Sequence, residues 1–168
     1  MRAAVTGTPG TGKTTATERL DTDLEVVHLN EVIRDRDLST DTDTERDSLV
    51  ADLDAIEAAF VDHENVLFES HLAHHLPVDR VIVLRCAPET IEDRLLDRGE
   101  APASARENAE SEALDVVLSE AVAIHDLESV YEVDTTDRSP AAVADELAAI
   151  LDGEREPSAG TVDYTDYL

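Results

Sequence analysis

The chain alternates between short, continuous apolar runs and longer segments in which apolar residues recur every three or four positions. The continuous runs are rich in β-branched residues, as expected of strands buried on both faces. They are RAAVT (2–6), EVVHL (25–29), NVLFE (65–69), RVIVLRC (80–86) and VYEVD (130–134). The helical segments between them are 13–20, roughly 45–62, 88–98, 104–126 and 139–151. This alternation predicts a three-layer α/β fold, in which a parallel sheet of about five strands is covered by helices on both faces.

Three segments depart from this alternation. TDTDTE (40–45) is polar, and RGEAPASARENAE (98–110) carries a Gly and a Pro before a long helix, so both are expected to be mobile or ligand-facing loops. After Leu151 the helical periodicity ends, and residues 152–168 are predicted to form a flexible or loosely docked acidic tail. The length of 168 residues suits one domain, expected over residues 1–151.

The charge balance is strongly acidic. Asp and Glu number 40 against 13 Lys and Arg, which gives a net charge of -27. Such a surface argues against binding to bare nucleic acid or to an anionic membrane by charge. Because 42% of the residues are apolar, the chain can still bury a core, so disorder of the whole chain is not expected. The composition is typical of a folded protein adapted to molar salt, where screening removes the repulsion between carboxylates, and we interpret the chain as a halophile's cytoplasmic protein.

Cellular location and cysteine use add little further chemistry. The chain shows no signal-peptide pattern at its N-terminus and no run of 18 apolar residues, so a cytoplasmic location is expected. Cys86 is the single cysteine, which excludes an internal disulfide. Its position at the end of an apolar strand predicts a buried structural thiol rather than a nucleophile.

The segment TGTPGTGKTT follows the first predicted strand and opens a predicted helix. It satisfies the pattern G-x-x-x-x-G-K-[ST] of a phosphate-binding P-loop, with glycines at positions 7, 10 and 12. These glycines leave room for the backbone to curl, so that successive N–H groups point at phosphate oxygens at the start of the helix.

Lys13 is the only lysine of the chain, beside twelve arginines. An ammonium group reaches the β- and γ-phosphates as a compact charge, which the wider guanidinium of arginine does poorly. Thr14 can ligate Mg²⁺, and Thr15 can reach the α-phosphate side. Salt adaptation therefore explains the loss of the other lysines, and phosphate binding explains the one that stays. A GTPase is excluded because no second lysine exists to build the guanine-reading N-K-x-D segment.

Arginine stands at places where two polyanions would have to be held together. These positions follow the second strand, end the helical segment 88–98, lie in the next loop and follow the last strand: Arg34, Arg94, Arg98, Arg106 and Arg138. Each alone is typical of a solvated surface charge. RLLDRG is more informative, because it places Arg94 and Arg98 on one helix face, where two guanidinium groups can neutralise a phosphoryl group in transfer.

The third predicted strand ends in LFESHLAHH. A carboxylate at the end of the strand beside a P-loop is expected to hold the water shell of Mg²⁺, and Glu69 has this position. His71 could orient a water molecule. A metal cluster of His71, His74 and His75 is disfavoured, because no cysteine or further carboxylate accompanies them at ligand spacing. The remaining histidines are interpreted as ordinary surface or boundary residues: His28, His63 and His125.

These motifs resemble those of the P-loop nucleoside monophosphate kinases and, among them, the adenylate kinase isoenzyme 6 group of archaea and eukaryotes. The resemblance spans roughly residues 1–151. It rests on TGTPGTGKTT, ESHLAHHLPVDRVIVLR, DRLLDRG with the following Asn108 and Glu112, and VDTTDRSPAAVADEL. It implies reversible phosphoryl transfer between Mg²⁺-ATP and AMP, an ATPase activity, and a role in late maturation of the small ribosomal subunit through transient contact with a platform protein.

The resemblance also implies roles for particular residues. Arg98 corresponds to the lid arginine on ATP, and Arg138 lies where the last loop packs near adenine. Residues 28–51, which include Arg34, are similar to the monophosphate-binding segment, and residues 97–107 to a short lid. The ATP phosphate site corresponds to Gly10, Gly12, Lys13, Thr14 and Thr15. Where the family has D-x-H, this chain has Glu69-Ser70-His71, so the metal-site carboxylate is longer by one methylene.

Three functional hypotheses follow. The first is a nucleoside monophosphate kinase. The second is an assembly factor whose attachment to a ribosomal protein is switched by ATP hydrolysis, with incidental kinase activity. The third is a kinase of another small hydroxylated metabolite, which the P-loop and the sheet alone would also permit.

Overall fold

In a computed structural model, which describes residues 1–43 and 48–168, the central element is a five-stranded parallel sheet. Its strands are β1 (Arg2–Thr6), β2 (Glu25–His28), β5 (Val66–Glu69), β6 (Arg80–Arg85) and β7 (Val130–Asp134). They lie side by side in the order β2-β5-β1-β6-β7. Each coincides with one of the five apolar runs, and the predicted three-layer α/β P-loop fold is confirmed.

Seven α-helices are assigned among the described residues, and they cover both faces of the sheet. They are α1 (Lys13–Thr17), α2 (Leu29–Asp35), α3 (Leu53–Ala59), α4 (Pro88–Asp97), α5 (Pro102–Ala113), α6 (Val116–Ile124) and α7 (Pro140–Leu151). Alternate residues of β1 separate the two core layers, because Ala3 and Val5 pack with the α1 and α7 side. Ala4 faces the α2 and α3 side. None of the described helices is long and apolar enough to cross a membrane.

The segment predicted as a helix over 45–62 differs from the structure in its first part. Residues Ser48–Ala51 form β4, which pairs antiparallel with β3 (Ser39–Asp43). The expectation of a polar loop at 40–45 is thus wrong for 40–43, and its residues 44 and 45 lie outside the described residues. The helix begins only at Leu53, because the carboxylate of Asp52 accepts a hydrogen bond from Ala55 N at 3.0 Å and caps it. The spacing of apolar residues also did not predict α2.

The long helix predicted over 104–126 is two helices. The helix is interrupted at Asp115, whose φ of 55° is left-handed, so α5 ends before this residue and α6 begins after it. The expected loop at 98–110 is also shorter than predicted, because α5 starts at Pro102 with proline at its first turn. Only the connection from 98 to 101 is outside a helix.

The C-terminal tail lies along β7. Ser158 N donates to Val130 O at 3.1 Å, and Thr161 N donates to the Glu132 carboxylate at 2.6 Å. The hydroxyl of Tyr164 donates to Asp134 at 2.7 Å. Residues 152–168 therefore have defined partners on the last strand, although the sequence alone offered no periodicity to dock them.

Candidate active site

The loop between β1 and α1 is formed by backbone that only glycine fits. Gly7 has a φ of 145°, and a Cβ there would lie 2.6 Å from the carbonyl oxygen of Leu84. Gly12 has a φ of 91° and directly precedes α1. The glycines that the sequence analysis selected thus set the close approach of the loop to β6 and the entry into the helix.

Lys13 lies under this loop and is 8% exposed. Its Nζ donates to the carbonyl oxygens of Gly7 at 2.9 Å and Thr8 at 3.1 Å. Burial lowers the pKa of Lys13 to about 8, although the charges of Glu69 and Glu112 act in the opposite direction. The pKa of this ammonium group therefore lies close to neutral pH, inside a loop whose shape suits a phosphate group.

Thr14 and His28 both contact the same carboxylate oxygen of Glu69. The Thr14 hydroxyl donates to Glu69 Oε2 at 3.3 Å, and His28 Nδ1 lies 2.7 Å from the same oxygen. His28 and Glu69 are register partners at the carboxyl ends of β2 and β5. A hydroxyl and a carboxylate oxygen suit Mg²⁺, which prefers oxygen ligands and keeps several waters, so these residues fit that ion.

His28 was interpreted from sequence as an ordinary surface or boundary residue; it is partly buried, as a boundary residue is, but its contact with Glu69 was not predicted. Its partner is 41 residues away in the chain, so local spacing gave no signal. The signal that could have found it is topological, since parallel strands bring their carboxyl ends to one edge of the sheet. His63 is half-exposed and contacts Glu25 at 3.1 Å, in agreement with its surface assignment.

A cavity of about 270 Å³ joins the phosphate loop to the end of β5. Its lining includes Lys13, Thr14, Glu69, His71 and Arg98. Burial, and secondarily the charge of Lys13, lowers the pKa of His71 to about 4. The imidazole is therefore neutral at neutral pH and can accept a hydrogen bond from water.

A second cavity of about 240 Å³ borders the same loop and is lined by Gly10, Thr15, Arg94, Arg98 and Arg138, among others. Arg94 donates to the carbonyl oxygen of Gly10 at 3.0 Å, so it ties α4 to the loop. Arg98 is exposed and lines both cavities. The three arginines that were predicted near ATP are thus brought together beside the P-loop.

Arg34 is not brought to either cavity. It is exposed on α2, and its Nε donates to Asn30 O of the same helix at 3.3 Å. Asn30 lines the phosphate cavity instead, where its side-chain oxygen accepts from the Ser70 hydroxyl at 2.9 Å. Arg106 makes a surface pair with Glu110 at 3.4 Å.

A buried charge network supports the loop from behind. Glu112 Oε2 accepts from the Thr8 hydroxyl at 2.6 Å, and its Oε1 accepts from Arg85 Nε at 2.9 Å. Arg85 is 1% exposed and also contacts Asp115 and Glu132. Although burial opposes it, these carboxylates raise the pKa of Arg85. From sequence, Glu112 was indicated only by the resemblance, and the network was not predicted, because its members lie on α5, β6, β7 and two connecting segments.

Cys86 is buried, as predicted, and burial raises the pKa of its thiol. It packs with Ile91, Leu95 and Ala105 between α4 and α5. A thiol kept protonated among apolar side chains serves packing rather than nucleophilic chemistry.

Comparison with known proteins assigns the family. A family model described as an AAA domain matches residues 4–115. A protein of Natronomonas pharaonis named "Putative adenylate kinase" is 64% identical over 168 residues, with 100% of both chains covered. Proteins of the same name from Halobacterium salinarum and Methanocaldococcus jannaschii are 61% and 38% identical; both matches cover 100% of this chain and 100% and 97% of theirs, respectively. This chain belongs to the AAA-domain family of that model and groups with the relatives named "Putative adenylate kinase".

Similarity to solved structures agrees at the level of the fold. A sulfotransferase from Alicyclobacillus acidocaldarius superposes with a TM-score of 0.55 at 12% identity, over 98% of this chain and 86% of its own. At that identity the likeness concerns the fold alone.

Proposed function

We propose that the protein is a nucleoside monophosphate kinase of broad specificity, which transfers the γ-phosphoryl group of ATP reversibly to AMP and forms two molecules of ADP. One observation carries the proposal: a single cavity brings the P-loop residues Lys13 and Thr14 together with Glu69, His71 and Arg98. The names of relatives that match the whole chain support the same activity.

In this proposal the chain's own cations hold the phosphates of ATP. Lys13 exchanges its two carbonyl contacts for β- and γ-phosphate oxygens, and the N–H groups from Gly10 to Thr15 surround the remaining oxygens. Arg98 is exposed and borders both cavities, so it can follow the phosphoryl group between donor and acceptor. Arg94 fixes the loop through Gly10 and adds charge. Arg138 borders the cavity proposed for adenine.

Two residues would hold Mg²⁺, namely Thr14 through its hydroxyl and Glu69 through bound water. The ion would supply charge neutralisation on the transferred phosphoryl group. His28 acts on this site as a positioning residue, because its contact with Glu69 Oε2 restricts the carboxylate. The Glu at this position, longer than the family's Asp, is thereby steadied by a neighbouring strand.

Fewer of the described residues can be assigned to the acceptor monophosphate than to ATP. Arg34 remains the proposed ligand of the monophosphate, and to reach it the side chain would leave its contact with Asn30 O. The proposed monophosphate-binding segment, residues 28–51, includes α2, β3 and β4, and residues 44–47 lie outside the described residues. The proposed lid, residues 97–107, spans the end of α4 and the start of α5.

We further propose an ATPase activity and, from the resemblance to the adenylate kinase isoenzyme 6 group, a cytoplasmic role in late maturation of the small ribosomal subunit and its 16S rRNA. The partner would be a platform protein contacted transiently. The neutral His71 at the phosphate cavity favours hydrolysis, since it can orient a water molecule. The alternatives are an ATP-switched assembly factor with incidental kinase activity, and a P-loop kinase of another small metabolite.

The variant His71→Ala separates these possibilities. In kinase transfer the phosphate of AMP supplies the nucleophile, whereas hydrolysis needs a positioned water. We expect ATP hydrolysis to fall by at least about tenfold, with a smaller loss of AMP phosphorylation and an unchanged ATP affinity. Both rates are measured on one preparation in molar KCl, with His63→Ala as the control because His63 does not line the cavity. Equal losses would make His71 a general support of the metal site.

Release of the ribosomal partner is measured on the same variant. If hydrolysis drives release, His71→Ala should stay attached in the presence of ATP. Normal release without hydrolysis would remove the switch hypothesis, and turnover of another hydroxylated metabolite in preference to every nucleoside monophosphate would favour the third alternative.

A further inference from the structure

Three side chains from two separate elements converge beside a third cavity, whose lining includes Thr8 and Pro9 of the P-loop. His74 and His75 belong to the short 3-10 turn Ala73–His75, and Glu120 lies on α6. One nitrogen of each ring and one oxygen of Glu120 all lie within 4.8 Å of one another. The sequence disfavoured a histidine metal cluster for want of a carboxylate, and the structure supplies one from 46 residues further along the chain. His71, which was considered with them, is not part of this group.

The distances suit a small divalent cation. His74 Nε2 lies 2.9 Å and His75 Nε2 lies 3.8 Å from Glu120 Oε2. Ligands of a tetrahedral zinc ion, at about 2.0–2.2 Å from the metal, are separated by roughly 3.4 Å. The two observed distances bracket that value, and the two imidazole nitrogens lie within 4.8 Å of each other, so modest side-chain shifts would bring the three atoms to coordination distances.

The other nitrogen of His74 has the partner that a metal-bound imidazole needs. Its Nδ1 lies 2.7 Å from the Thr6 hydroxyl, which can accept the Nδ1–H and leave Nε2 free to bind a metal. His125 Nε2 donates to the backbone oxygen of His74 at 2.8 Å and fixes the turn. The His74 side chain is 1% exposed, whereas those of His75 and Glu120 are 27% and 48% exposed.

We propose that His74, His75 and Glu120 form a binding site for one divalent cation of the zinc class. Two imidazoles and one carboxylate are a common ligand set for zinc when a further position is left to water or another ligand. That position faces the cavity of about 830 Å³ whose lining includes His75, Glu120, Thr8, Pro9 and His71. The bound cation links the 3-10 turn, which follows His71 closely in the chain, to α6.

The experiment uses the full chain, treated with a chelator and returned to molar KCl, and titrates it with Zn²⁺ by calorimetry. We expect one site per chain and a rise in melting temperature on zinc addition. His75→Gln and Glu120→Gln should each weaken binding by at least about tenfold, and Thr6→Val, which removes the acceptor for His74 Nδ1, by about tenfold. Co²⁺ should give the visible absorption of a tetrahedral site in the wild type and lose it in Glu120→Gln.

The control is His63→Gln, because His63 also lies beside a carboxylate, Glu25 at 3.1 Å, but no second imidazole is among its partners in the described part of the chain. It should bind Zn²⁺ as the wild type does. Since His75 and Glu120 are partly exposed, their variants are first compared with the wild type by melting temperature without metal, which separates lost binding from lost folding. Absence of a stoichiometric site would overturn the proposal, and so would binding that His75→Gln and Glu120→Gln leave unchanged.

Discussion

At the scale of single residues, the chemistry depends on a buried lysine in a chain dominated by acidic residues. Lys13 is the only lysine of a chain with net charge -27, and it is nearly enclosed by the P-loop. Its environment disfavours the charged form until phosphate arrives. The pKa of about 8 therefore indicates that the ammonium group of Lys13 gains its full stabilisation only when a phosphate ligand is bound.

This pKa predicts a pH dependence of ATP binding. Phosphate favours the ammonium form, so ATP binding raises the pKa of Lys13. Below pH about 8 the free protein already carries the proton, and affinity does not change through this group; above it, binding must take up a proton. We expect the ATP affinity to fall by up to about tenfold per pH unit above that point.

Calorimetric titration with ATP between about pH 7 and about pH 9.5 measures this slope. Lys13→Arg is the matched control, because a guanidinium stays charged throughout the range. It should bind ATP more weakly and without the slope. A wild-type affinity that is flat above pH 8, or a slope that Lys13→Arg shares, would contradict the assignment of the proton to Lys13.

At the scale of elements, the network around Arg85 joins the P-loop, α5 and the tail. Glu112 of α5 holds Thr8 and Arg85, and Glu132 of β7 accepts from Thr161 of the tail. The carboxylates outnumber the one cation they surround, and Glu112 and Glu132 are held by additional hydrogen-bond donors. This arrangement ties α5, whose first residues belong to the proposed lid, directly to the P-loop.

We expect Glu112→Gln to lower the free energy of unfolding by roughly 2–4 kcal/mol, because it removes one charge from a buried pair and leaves Arg85 less compensated. It should also reduce ATP affinity, since the Thr8 contact is altered. Glu110→Gln is the control on the same helix. Glu110 makes an exposed pair with Arg106, worth at most about 1 kcal/mol. Denaturant titration of both variants in molar KCl tests this, and equal effects would refute it.

The sequence predicted strands better than helix boundaries, for a physical reason. A strand buried on both faces needs a continuous apolar run, as in RVIVLRC, and little else produces one. The helix expected over 45–62 failed because Leu49 falls on the helical spacing of Leu53 and Ile56 although it belongs to β4. Asp52, the N-cap, was the readable signal that separates them.

The site was predictable where one short motif carries it and unpredictable where distant segments meet. TGTPGTGKTT indicated the phosphate loop, and the end of β5 indicated Glu69. The contacts of Glu69 with His28 and of Thr8 with Glu112 join residues 41 and 104 positions apart. Only strand order and helix packing, which local spacing does not encode, determine such pairs.

At the scale of the whole molecule, the surface charge predicts a dependence on salt. In dilute buffer the 40 acidic residues repel one another over tens of ångströms, whereas at about 1 M salt the screening length falls to about 3 Å. We expect the melting temperature to rise by at least about 10 °C between about 0.1 M and about 2 M KCl, which corresponds to roughly 3 kcal/mol for a domain of this size.

Differential scanning calorimetry across the KCl series measures the effect. Sucrose is the control, because it stabilises by exclusion from the surface and does not screen charge. A melting temperature indifferent to KCl, or raised equally by sucrose, would point to an acidic protein without adaptation to salt.

The most direct test of the central claim follows both phosphoryl products in one tube. ³¹P NMR of ATP, AMP and Mg²⁺ in molar KCl distinguishes transfer, which yields ADP without inorganic phosphate, from hydrolysis, which releases it. We predict that the wild type consumes AMP and that Lys13→Ala, folded to the same extent by circular dichroism, retains at most a few per cent of either activity, because it lacks the compact charge on the transferred group. Unchanged AMP with the wild type, or substantial transfer by Lys13→Ala, would contradict the account.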